Sequence, residues 1–84
     1  MTEKLITAKI EAFLEFDGCL TGPVIDMIFT DGKTARKIQF ITNALYIEND
    51  IETARDIMRN YKPGDKIQLI KSGSGKYAGY RIPV

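Results

Sequence analysis

Apolar and polar residues alternate over residues 4–16, with Leu5 and Phe13 the apolar members of the polar side. Ile6, Ala8, Ile10, Ala12, Leu14 and Phe16 fall on one side. Leu5, Thr7, Lys9, Glu11, Phe13 and Glu15 fall on the other. A period of two belongs to a half-buried strand, so the first set is expected to face a core. A first strand this long often bends to serve both halves of a small barrel. Phe13 is out of phase with the core set. It reads as a stacking platform, a dimer contact or a core residue beyond such a bend.

Asp17-Gly18 opens a punctuated loop that closes at Gly22-Pro23. Residues 24–30 read as a second strand. A buried, unpaired carboxylate is costly, so Asp26 faces outward and Ile25, Met27 and Phe29 inward. Asp31-Gly32 is a two-residue hairpin signal. Residues 34–42 form the expected third strand, with Ile38 and Phe40 inward and Lys37 and Gln39 outward. Residues 43–48 fit either an extended connector or the tail of that strand.

A helix follows. Asn49 is its expected N-cap, with Glu52 three residues on as in a capping box. Ile51, Ala54, Ile57, Met58 and Tyr61 share one helical stripe, which reads as core packing. The helix is expected to stop before Lys62-Pro63-Gly64-Asp65. Residues 66–71 alternate again, with Ile67 and Leu69 inward. Ser72-Gly73-Ser74-Gly75 is a flexible turn. Residues 77–82 form the last strand, with Ala78, Tyr80 and Ile82 on one face and Tyr77, Gly79 and Arg81 on the other.

The element order is therefore β-β-β-α-β-β. That is the order of a five-stranded, partly open Greek-key OB-fold barrel, with its helix between the third and fourth strands. The chain is expected to form one such domain over residues 1–84. A four-stranded sheet flanked by a helix and an SH3-like barrel compete. The full mid-chain helix argues against the second.

Composition narrows the function. The 84 residues include no His and one Cys. The lack of His removes the commonest general base and metal ligand. One Cys excludes an internal disulfide and any Cys-rich zinc site. No apolar run approaches the ~20 residues of a membrane helix, and no signal peptide opens the chain. The expectation is a cytoplasmic, non-enzymatic module with no cofactor and no membrane partner.

The formal charge of +1 hides an asymmetry. Residues 1–31 carry −4, residues 32–58 cancel, and residues 59–84 carry +5. Such polarity suits an anionic partner at one end, or solvated strand faces. Gly73-Ser74-Gly75-Lys76 is not a phosphate loop. Ile70 stands where the motif needs its first Gly, Tyr77 follows the Lys, and no helix comes next. Glu11 and Glu15 read as solubility rather than acid–base chemistry, and no His is present to activate Cys19.

Two segments carry a resemblance. Met58-Arg59-Asn60-Tyr61 with Pro63-Gly64-Asp65-Lys66-Ile67 is similar to the helix-to-fourth-strand region of bacterial translation initiation factor one and its S1-type relatives. Ile28-Phe29-Thr30-Asp31-Gly32-Lys33 resembles the second-to-third strand turn of that group. The length also fits a small single-stranded-DNA-binding protein. The resemblance implies an OB barrel whose usual ligand is single-stranded nucleic acid, DNA or RNA.

Single-strand binders join a basic groove to aromatic stacking platforms. The candidate contacts are Lys33, Arg36, Lys37, Gln39, Lys71, Lys76, Tyr77 and Arg81, with Tyr77 and Arg81 bracketing Gly79. The competing function is a protein-interaction or assembly module, including a homo-oligomer in which the acidic first strand pairs with the basic C-terminal segment of another copy.

Overall fold

The computed structural model describes residues 3–20 and 22–84. Its strands are β1 (Glu3–Gly18), β2 (Gly22–Asp31), β3 (Thr34–Ile41), β4 (Lys66–Ser72) and β5 (Gly79–Arg81), with helix α1 (Ile51–Asn60) between β3 and β4. All pairings are antiparallel, in the order β3-β2-β1-β4-β5, and the sheet curls into a nearly closed barrel. This architecture is compatible with an OB-like fold.

The long first strand serves two neighbours. Residues 3–9 pair with β4, and residues 9–18 pair with β2. The register slips between Ile10 and Ala12, where Glu11 is the extra residue of a β-bulge. On the other side, Ile10 bonds the approach to β4: its N–H donates to Asp65 O at 2.9 Å, and its carbonyl accepts from Gly64 N–H at 2.7 Å.

The bulge inverts the alternation beyond it. Ile10 lies opposite Phe29, and both are buried. Phe13 then lies opposite Met27 and packs against the core. Leu14 and Phe16, expected inside, lie on the outer face opposite Asp26 and Val24 and are about half exposed. Phe13 is thus the core residue beyond a bend.

β2 and β3 keep the expected phase, with Ile25, Met27, Phe29, Ile38 and Phe40 buried. Their turn is Gly32-Lys33. Gly32 has φ 63°, the positive-φ first position that a II′ hairpin turn demands. Asp26 faces outward as expected, yet it is only 6% exposed. It is tolerated there because Gln39 Nε2 donates to it at 3.0 Å and Lys37 Nζ lies 3.5 Å away.

The helix starts one residue later than expected. Asp50, not Asn49, is the N-cap: its carboxylate accepts from Glu52 N–H at 3.0 Å. Asn49 instead closes a 3-10 turn (Ile47–Asn49) within the connector and donates its side-chain amide to Gln39 O. Ile51, Ala54 and Ile57 enter the core beside β2 and β3. Met58 and Tyr61, expected on the same stripe, lie at its margin and stay partly exposed. Arg55 reaches Glu15 at 3.2 Å, tying the helix to the far end of β1.

β5 is shorter than expected. Gly75–Tyr77 forms a 3-10 turn, and only Gly79–Arg81 pairs with β4. β3 and β5 are the two ends of the sheet order, so side chains span the seam between them. Tyr80 packs edge-on against Phe29, with ring centroids 5.1 Å apart, and Ile82 is buried.

Candidate functional site

The seam end of the barrel gathers a cluster of charged side chains around Tyr80. Asp31, at the end of β2, accepts from Lys71 Nζ at 2.6 Å and from Tyr80 Oη at 2.8 Å. Lys71 and Asp31 are each about one-fifth exposed. These bonds hold the Asp31 carboxyl below the usual carboxylate range, Lys71 first, then Tyr80. The same contact raises Lys71. Burial, and then the bond to Asp31, pushes the Tyr80 phenol up.

Arg36 crosses the seam from β3. It lies opposite Phe29 in register, so its side chain starts from the inner face. Its Nη2 donates to Gly75 O at 2.6 Å, and its Nη1 lies 3.5 Å from Lys76 O. Its guanidinium sits 5.7 Å from the Tyr80 ring centroid, as does the Lys71 ammonium. Arg36 Nε is buried and finds no acceptor among the described residues.

The β4–β5 loop held by Arg36 presents Tyr77 to solvent, 84% exposed, with Lys76 Nζ 5.2 Å above its ring. Lys33 occupies the adjoining β2–β3 turn, two residues from Asp31. Lys4 pairs in register with Lys71, and its field also lowers Asp31. Five of the proposed contacts, Lys33, Arg36, Lys71, Lys76 and Tyr77, therefore come together at this end of the barrel. Lys4 joins them although sequence reasoning did not select it; nothing in its strand alternation distinguishes it.

The other three lie elsewhere. Lys37 and Gln39 point to the outer face of β3, where both engage Asp26. Arg81 makes a two-point ion pair with Glu3, at 2.6 and 3.0 Å. Arg81 and then Ser72 hold the Glu3 carboxyl low, and Glu3 raises Arg81. The acidic first strand thus pairs with the basic last strand inside one chain. Tyr77 and Arg81 do not bracket Gly79 on one strand face, because Tyr77 belongs to the turn.

The outer face of β1, β2 and β3 is the surface that sequence reasoning missed. Cross-strand register arranges it in three rows: Ala12, Ile28 and Lys37; Leu14, Asp26 and Gln39; Phe16, Val24 and Ile41. Six of these nine residues are apolar. Phe13, out of phase with its strand, was the one signal that a bulge would turn Leu14 and Phe16 outward.

Among the described residues, no group of three or more His, Cys, Asp or Glu is placed to hold a metal ion. No described helix is long and apolar enough to cross a membrane. Compared with family models, with curated proteins and with solved structures, the chain matches none.

Proposed function

We propose that the protein is a non-catalytic, OB-like module that binds single-stranded nucleic acid at the end of the barrel formed by the β2–β3 turn and the β4–β5 loop. One observation carries this reading. Lys71 and Lys4 act on Asp31, Arg36 holds the β4–β5 loop that carries Lys76 and the solvent-exposed ring of Tyr77, and Lys33 stands in the adjoining β2–β3 turn. Cations neutralise phosphates, and an exposed aromatic ring stacks a base whatever its sequence.

The roles divide by exposure. Lys33 and Lys76 are exposed and suit phosphate contacts. Tyr77 is the stacking platform. Lys71 and Arg36 are partly committed to Asp31 and Gly75 and act by fixing the loop and supplying field. In an OB barrel the loop between the fourth and fifth strands borders the ligand, which fits Lys76 and Tyr77. Lys37, Gln39 and Arg81 face other surfaces and lie outside this core set.

The test is fluorescence anisotropy with short single-stranded DNA and RNA at low and moderate salt. Binding that weakens with salt is expected. No binding of either strand at low salt would overturn the function. Unchanged affinity in a folded Lys33→Ala, Lys76→Ala, Tyr77→Ala triple variant would overturn this surface.

A further inference from the structure

Each of the five strands sends one polar residue into the layer that ends the barrel above its apolar core. Lys4, Asp31, Arg36, Lys71 and Tyr80 all lie in phase with the buried residues of their own strands. The layer therefore holds three cations and one carboxylate. Lys4 and Lys71 stand directly opposite one another in the β1–β4 register, and like charges so placed cost stability. Asp31 offsets them. Its Oδ2 accepts from both Lys71 Nζ and Tyr80 Oη, and the field of Lys4 reaches it. Among the described residues Lys4, Lys33 and Lys76 form no ion pair, and Lys71 forms one, with Asp31.

Given the single-strand site proposed above, we propose that Asp31 is an internal competitor of the strand's phosphate. It occupies Lys71 in the free protein, and a bound phosphate takes that ammonium over while Tyr80 keeps the carboxylate. A carboxylate and a phosphate oxygen are alternative acceptors for the same charge-assisted bond, so one can replace the other on Lys71.

The two partners of Asp31 differ in freedom. Lys71 and Asp31 are each about one-fifth exposed, so a phosphate at the barrel end reaches the pair. Lysine carries its charge on a flexible stem and can turn from one oxyanion to another. Tyr80 cannot follow. Its ring packs edge-on against Phe29, with centroids 5.1 Å apart, and this keeps its hydroxyl aimed at Asp31. The exchange thus moves one lysine and leaves the seam fastened. It opposes binding, because Asp31 is left beside the incoming phosphate with one partner fewer. Asp31 therefore holds the affinity of the basic end below what its cations would reach alone.

Anisotropy titrations of the full chain with a short labelled oligothymidylate test the exchange, in the wild type, Asp31→Asn, Lys71→Gln and the double variant. Asp31→Asn should tighten binding about 5-fold, the upper range for a solvated ion pair. Lys71→Gln should weaken it. In the Lys71→Gln background, Asp31→Asn should gain less than about 2-fold, because no withheld ammonium remains to be released. Circular dichroism checks folding. Asp31→Asn leaves Lys4 and Lys71 opposed and can loosen the barrel. Lys4→Gln then relieves the repulsion, and Asp31→Asn is read against Lys4→Gln alone. A wild type that binds, with Asp31→Asn no tighter or with the same gain whether or not Lys71 is present, overturns the exchange and leaves the nucleic-acid function standing. No binding by the wild type at low salt overturns both.

Discussion

Tyr80 donates its phenolic proton to Asp31 at 2.8 Å, and that bond fastens the last strand to the end of the second. The ring of Tyr80 meanwhile packs on Phe29 and lies under Arg36. Tyr80→Phe keeps the ring and removes the bond. A hydrogen bond to a charged group is worth about 1.5–3 kcal/mol, and this one is partly solvated, so a loss of about 1–2 kcal/mol is expected. Chemical denaturation with an unchanged m-value checks it.

Acid should loosen the same seam. Lys71 and Tyr80 lower Asp31, while Arg81 and Ser72 lower Glu3. A carboxyl lowered in the fold contributes stability that is present above its unfolded value and lost as pH falls through the folded one. The melting temperature should therefore drop below the ordinary carboxylate range, and Asp31→Asn should flatten that fall. At the alkaline end the sign reverses. Lys71 is raised, so its contribution holds below the ordinary lysine value and is lost as pH climbs through the folded one.

The bulge makes a test from two phenylalanines three residues apart. Phe13 packs on the core and Phe16 lies half exposed outside it. Phe13→Ala should cost about 2–4 kcal/mol, somewhat less than or near the usual loss for a fully buried ring, and Phe16→Ala under about 1 kcal/mol. Unbroken alternation predicts the opposite ranking. Paired urea titrations decide between them.

Nucleic-acid affinity should respond differently to Tyr77 and to the lysines. A stacked base is worth ~1–3 kcal/mol, so Tyr77→Ala should weaken binding about 5- to 150-fold, with its salt dependence unchanged. Lys33→Ala and Lys76→Ala should each lower the salt slope by about 0.7 for a single strand. Anisotropy titrations at three or more salt concentrations separate the two effects.

Much of the fold was legible because its signals are local. The inward faces of β3 and β4 follow from alternation, that of β2 follows from the cost of burying Asp26, and Gly32 and Pro63-Gly64 mark turns through their own backbone preferences. The helix start is legible only to within one residue, since Asn49 and Asp50 both suit an N-cap and only the fold favours Asp50. The candidate site was legible in part. Its residue types were evident, but which cations remain free depends on pairing. Lys71 meets Asp31 40 residues away, and Arg81 meets Glu3 78 residues away.

The sequence by itself determined the order of strands and helix, the apolar faces of the central strands, and a chain with a basic end and an acidic one. Periodicity and turn chemistry act over a few residues, so they can be read there. Only the tertiary structure decided that β1 bulges at Glu11, that Leu14 and Phe16 turn outward, and that the acidic first strand neutralises the last. A strand that must pair with β4 along one half and β2 along the other has to coil, and an extra residue is how it does so. That demand comes from closing the barrel, and it has no counterpart in the alternation of the strand itself.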